Sequence, residues 1–160
     1  MLKDPPKQYK VVLLSGGFDP VHRGHVEMIE AARDIADEVW IILNNDIWLE
    51  DKKGKRFMKQ SERQYIMSQF KGVKETFICQ PRVARDKTVC DGIYSAINLY
   101  RRKFDGEELS MAFGNGGDRT KGNTPEEEYC NTMEVDMVWN LGKKVQSSSW
   151  LLEKFANAAV

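Results

Sequence analysis

The chain has 160 residues, 41% of them hydrophobic and 30% charged, and its 24 basic residues are balanced by 24 acidic ones. That length suffices to bury the core of a single domain over residues 1–160, and the composition is that of an ordinary globular protein. The charge balance excludes a polyelectrolyte partner for nucleic acid, and no apolar run reaches the length of a membrane span.

The first residues, Met1-Leu2-Lys3-Asp4-Pro5-Pro6, do not read as a signal peptide. An apolar run over residues 9–15 reads as a buried strand. The segment Gly16-Gly17-Phe18-Asp19-Pro20-Val21-His22-Arg23-Gly24-His25 follows, and Val26, Ile29, Ala32 and Ile35 then recur at helical spacing. Residues 38–43 are almost continuously apolar, as in a strand covered on both faces. Residues 44–60 read as a polar loop carrying Asp46 and the basic run Lys52-Lys53-Gly54-Lys55-Arg56. Ser61 is placed to cap a helix with Tyr65, Ile66 and Phe70 on its apolar face, closed by Gly72. A strand over residues 76–79, a helix over 87–103 and a strand over 109–113 come next.

Gly114-Asn115-Gly116-Gly117-Asp118 forms the following loop, and Thr124-Pro125-Glu126-Glu127 has the form of a capping box with proline in the first turn. A last strand over residues 135–139 leads to Ser147-Ser148-Ser149 and a closing helix over residues 150–156. Alternation of strand and helix implies a parallel sheet with right-handed crossovers. Cys79, Cys90 and Cys130 are widely spaced, odd in number and form no CxxC, so they read as reduced thiols and point to the cytoplasm.

The chain's two histidines both fall in one glycine-flanked turn where a strand gives way to a helix. Free N–H groups and the positive end of the helix dipole attract phosphate there. With no third histidine and no nearby cysteine, a zinc site is poorly supported. In parallel sheets ligands bind beyond the carboxyl ends of the strands. The histidine segment, the loop at Asn44-Asn45-Asp46 and the loop at Gly114 to Asp118 are therefore expected to meet at one rim.

The segment from Gly17 to His25 resembles the HxGH signature of the nucleotidyltransferase superfamily, in its cytidylyltransferase-like branch. Ser147 to Ser149 before a final helix resemble its second motif, which binds the nucleotide's phosphates. Asn45-Asp46, Lys52, Lys55 and Arg63 are spaced as in glycerol-3-phosphate cytidylyltransferases, and Gly116-Gly117-Asp118 is similar to the Gly-Gly-Asp of heptose-phosphate adenylyltransferases.

The resemblance implies an α/β fold, a Rossmann-like parallel sheet with helices on both faces. It further implies transfer of a CMP or AMP group from a nucleoside triphosphate to a small phosphorylated acceptor, a sugar or polyol phosphate, with release of diphosphate. On that basis His22, His25, Lys52, Lys55 and Arg63 stabilise charge on the phosphates. Gly16, Gly17, Phe18, Asp19, Gly24, Asp118, Ser147, Ser148 and Ser149 bind the nucleotide, and Asp46 and Arg119 bind the acceptor. Mg²⁺ is expected on the phosphates, with no metal site in the protein itself. A homodimer is expected by analogy, and no membrane or nucleic-acid partner. CTP and ATP both stay open, because Gly142-Lys143-Lys144-Val145-Gln146-Ser147 lacks the arginine that cytidylyltransferases of this branch carry. The alternatives are a nucleotide-sensing module of the same fold, or an adenylyltransferase for nicotinate mononucleotide or phosphopantetheine.

Overall fold

Five strands and six helices alternate along the described residues, which in this computed structural model are 6–80, 87–117, 122, 124–142 and 146–158. The order is β1 (Tyr9–Gly16), α1 (Arg23–Ile35), β2 (Ala36–Leu43), α2 (Asp46–Lys53), α3 (Gln60–Ser68), β3 (Val73–Ile78), α4 (Cys90–Lys103), β4 (Met111–Gly116), α5 (Glu126–Thr132), β5 (Asp136–Leu141) and α6 (Ser148–Ala158). All strand pairs are parallel, in the order β3-β2-β1-β4-β5. The connection therefore reverses direction at β1, and the crevice between β1 and β4 is the switch point where parallel sheets bind ligands. This is the Rossmann-like α/β architecture that the alternation implies.

The apolar runs of β1 and β2 are continuous because both faces of the sheet are covered. Val11, Leu13, Trp40 and Ile42 face one way and pack with Ile93, Ala96, Ile97 and Tyr100 of α4 and Cys130 of α5. Val12, Leu14, Val39 and Ile41 face the other way and pack with Ile29 and Ala32 of α1 and Met67 of α3. Leu13 and Leu14 have no exposed surface, and each buried leucine contributes about 1.5–3 kcal/mol. The strands are thereby fixed in register, and their carboxyl ends form one rim.

Three local expectations are corrected. Residues 44–60 are not a loop throughout: α2 occupies Asp46–Lys53, capped by Asn45, whose Oδ1 accepts the Trp48 N–H, and ended by Gly54 at φ +81°. Only Leu49 of α2 is buried, so the helix lacks the apolar stripe by which helices are read. In α3, Lys59 and not Ser61 is the N-cap, and the buried positions are Arg63 and Met67 while Tyr65 is 70% exposed. A charged residue took the inward face because carbonyl partners await it there. In α5 the Thr124 hydroxyl caps nothing, and Glu127 accepts the Gly122 N–H instead of reaching back to Thr124.

Candidate active site

The two histidines close the N-terminus of α1 upon each other. His22 is the N-cap, and its Nδ1 accepts the Gly24 N–H at 3.1 Å. His25 Nδ1 accepts the His22 N–H at 3.2 Å, so the pair forms a reciprocal capping box. The rings stack with centroids 3.8 Å apart, and Phe18 packs edge-on against His25 at 4.7 Å. Burial, the neighbouring His22 and the Lys53 ammonium push the His25 pKa down to about 3. Burial and Lys53 lower that of His22. A neutral imidazole that accepts at Nδ1 carries its proton on Nε2. Each ring is thus a neutral donor of fixed tautomer at the positive end of a helix.

Two glycines are demanded by side chains rather than by open space for a ligand. A Cβ on Gly17 would meet Leu49 Cδ2 at 2.8 Å, and one on Gly24 would lie 3.0–3.1 Å from the His22 ring. Phe18 has φ +52°, a left-handed conformation unusual for an aromatic residue, and its ring is buried. Gly16 and Gly17 nevertheless line a cavity of about 1020 Å³ at the carboxyl ends of β1, β2 and β3. Asn44, Asn45, Trp48, Lys52 and Lys53 line it from the α2 side, and Lys87, Val89, Pro125 and Glu126 from the α4 and α5 side.

The serine cluster meets the histidine segment. Ser147 Oγ accepts the Trp150 N–H and caps α6, while the buried Ser148 hydroxyl donates to Pro20 O at 2.7 Å. Gln146 O lies 3.6 Å from where a Gly24 Cβ would stand, so α1 and α6 begin side by side. Ser149 is exposed in the first turn of α6.

Three charged candidates are engaged within the protein. Arg63 is fully buried, and four of its five N–H donors are committed: Nε to Met58 O, Nη1 to Gly17 O and Asn44 O, Nη2 to Asp46 Oδ1. It ties the loop after β1 to the loop after β2 and cannot also clamp a phosphate. Asp46 is spent on Arg63 and on Arg56, which reaches its Oδ2 at 2.7 Å. Asp19 is buried, and each of its oxygens accepts a backbone N–H at 2.6 Å, from Phe57 and from Met58. The Asp19 carboxylate is thus spent on fixing the segment that carries Phe57 and Met58.

Of the chosen lysines, Lys52 lines the cavity with its ammonium 4.6 Å above the Trp48 ring, whereas Lys55 lies exposed beyond α2 and outside the lining. Lys53, not singled out from the sequence, is the cation whose charge depresses both histidines. Nothing in a run of four basic residues marks it, and only the helical phase of α2 does so. Glu126 begins α5, as the helix start at Thr124-Pro125-Glu126-Glu127 implies, and is also a buried member of the cavity wall. Asp118 and Arg119 lie outside the described residues. Among the described residues no helix is long and apolar enough to cross a membrane.

The sequence profile of a family described as cytidylyltransferase-like matches residues 13–144. The chain is 32% identical over 77 residues to an FAD synthase of Thermococcus sibiricus, a match covering 47% of this chain and 52% of that protein. It is 31% identical over 87 residues to an ethanolamine-phosphate cytidylyltransferase of Arabidopsis thaliana, covering 52% of this chain and 21% of that one. The chain thus spans about half the length, or less, of these two relatives. A lipopolysaccharide core biosynthesis protein of Thermoplasma volcanium shares the fold at a TM-score of 0.61 and 14% identity, over 84% of this chain and 98% of that one.

Proposed function

Since the chain belongs to the cytidylyltransferase-like family, we propose that it transfers the CMP or AMP group of a nucleoside triphosphate to the phosphate of a small sugar or polyol phosphate, releasing diphosphate. The observation that carries this reading is the stacked histidine pair, each ring held by its Nδ1 with a donor left on Nε2. An acceptor phosphate oxygen attacks the α-phosphorus, and the bond from that phosphorus to the bridging oxygen breaks, the electron pair leaving with diphosphate. Such a transfer needs no covalent intermediate and little proton transfer, and positioning and charge stabilisation carry it.

In this reading His22 and His25 donate to the α- and β-phosphate oxygens as charge moves outward. Ser147, Ser148 and Ser149 hold the triphosphate at the start of α6. Lys52 and Lys53 line the cavity, where in this reading the acceptor sits, and Lys53 also acts on both histidines. Mg²⁺ comes with the triphosphate as part of the substrate. Among the described residues no group of three or more His, Cys, Asp or Glu side chains forms a site of the protein's own.

The test is a grid of CTP and ATP against phosphorylated acceptors, read as diphosphate release. Diphosphate that appears only when one triphosphate and one acceptor are both present supports the reading. Triphosphate binding without diphosphate in any cell of the grid overturns it in favour of a nucleotide sensor, and orthophosphate without acceptor in favour of a hydrolase.

A further inference from the structure

One turn of α2 brings an aromatic ring and an ammonium group together at the cavity wall. Lys52 Nζ stands 4.6 Å from the centroid of the Trp48 ring, within the roughly 6 Å over which a ring face attracts a cation. The two residues are four apart on the helix, so α2 itself sets them on one side. The helix is fixed in turn. Asn45 Oδ1 accepts the Trp48 N–H at 2.8 Å, the Gly54 N–H donates to Glu50 O, and Leu49 is fully buried. Trp48 and Lys52 both line the cavity. Trp48 is half-buried and belongs to neither core cluster, so core packing does not account for a tryptophan at this position.

We propose that Trp48 is a positioning residue for phosphate binding, its ring holding the Lys52 ammonium at the cavity wall for an oxygen of the acceptor's phosphate. A lysine ammonium rides on a flexible four-carbon stem and loses rotamer freedom when a ligand fixes it. A ring that already holds the ammonium removes part of that loss from the binding step. The ring has no net charge, so it fixes the ammonium without cancelling the charge that a phosphate needs. This rests on the nucleotidyl-transfer reading only in naming the acceptor as the bearer of the phosphate.

The experiment is calorimetric binding of two probes, inorganic diphosphate and glycerol 3-phosphate, to the whole chain, run as a double-mutant cycle. Trp48→Leu and Trp48→Met both remove the ring. Each should weaken at least one probe about threefold to thirtyfold, the span of a cation–π contact from exposed to desolvated. Trp48→Phe keeps a ring face and should recover most of that loss. Lys52→Met keeps the stem and removes the charge. In that background the loss of the ring should change affinity by about 1.5-fold or less, because the ring acts through the ammonium. Equal losses in the two backgrounds overturn the proposal, since the ring then touches the ligand or merely supports the helix. So do a Phe variant as weak as the Leu variant, ring-free variants that both fail to unfold cooperatively, and a wild type that binds neither probe. If the cycle shows the coupling but no diphosphate is released in the grid of triphosphates and acceptors, the transfer reading fails and the role of Trp48 stands.

Discussion

Substituting Asn for His25 should change how stability responds to acid. In the folded protein burial, His22 and Lys53 push the His25 pKa down to about 3, whereas an unfolded histidine titrates near 6.5. Between those values the unfolded chain holds a proton that the folded one does not, so stability is full above about pH 6.5 and falls as the pH drops toward 3. At pH 5 the unfolded pKa is about 1.5 units above the solution, and at 1.36 kcal/mol per unit the loss is about 2 kcal/mol. The Asn Oδ1 can still accept the His22 N–H that His25 Nδ1 accepts now, and it does not titrate. Urea unfolding at pH 7 and pH 5 should show the wild type losing about 2 kcal/mol more than His25→Asn over that interval. Other groups that titrate in the window are common to both proteins and cancel in the comparison. An equal loss in the two proteins would refute the picture of a buried, neutral His25.

Arg63→Met should cost about 3–5 kcal/mol in denaturant unfolding, because it strips a hydrogen-bonded cation from Asp46 and from three carbonyls. Unchanged stability with weakened triphosphate binding would restore Arg63 as a phosphate clamp. Lys53→Gln removes a positive neighbour and so should raise both histidine pKa values, while Lys55→Gln should leave them in place. Since the chain has two histidines, NMR titration resolves each one, and equal effects of the two lysines would count against the assignment. Gly17→Ala sets a methyl group 2.8 Å from Leu49 Cδ2 and should cost about 1–3 kcal/mol by overpacking. Combined with Leu49→Ala, the double variant should be more stable than the sum of the single losses predicts, and strict additivity would show that the two do not meet.

Much of the fold was legible because its signals are periodic. The two-sided burial of β1 and β2 writes itself as continuous apolar runs, and Ile29 and Ala32 mark the inner face of α1. The meeting of the histidine turn with Ser148 is in keeping with the resemblance that paired the two motifs. What stayed hidden was decided by tertiary partners. α2 buries one residue, so its only local marks are Asn45 and Gly54 at its ends. Arg63 is spaced like a phosphate-binding residue, and no local signal marks its inward turn, which depends on carbonyls contributed by Gly17 and Asn44. Glu126 reads as helix-start chemistry, and only the packing of α5 against Val89 of the α4 N-terminus makes it a wall of the cavity.

The misread charges share one physical cause. An anion site needs positive potential at its rim, yet the loops that form it carry Asp19 and Asp46 beside the motif residues. Either carboxylate facing outward would repel a triphosphate. The structure turns both into struts: Asp19 is saturated by the Phe57 and Met58 N–H groups, and Asp46 by Arg56 and Arg63. The same bonds tie the loops after β1 and β2 to the segment joining α2 and α3, holding the histidine turn on a rigid base. In the proposed transfer, neutral imidazole donors, a serine-capped helix start and the lysines of α2 are then left for the triphosphate, and the anion site and its scaffold would come from one arrangement of charges.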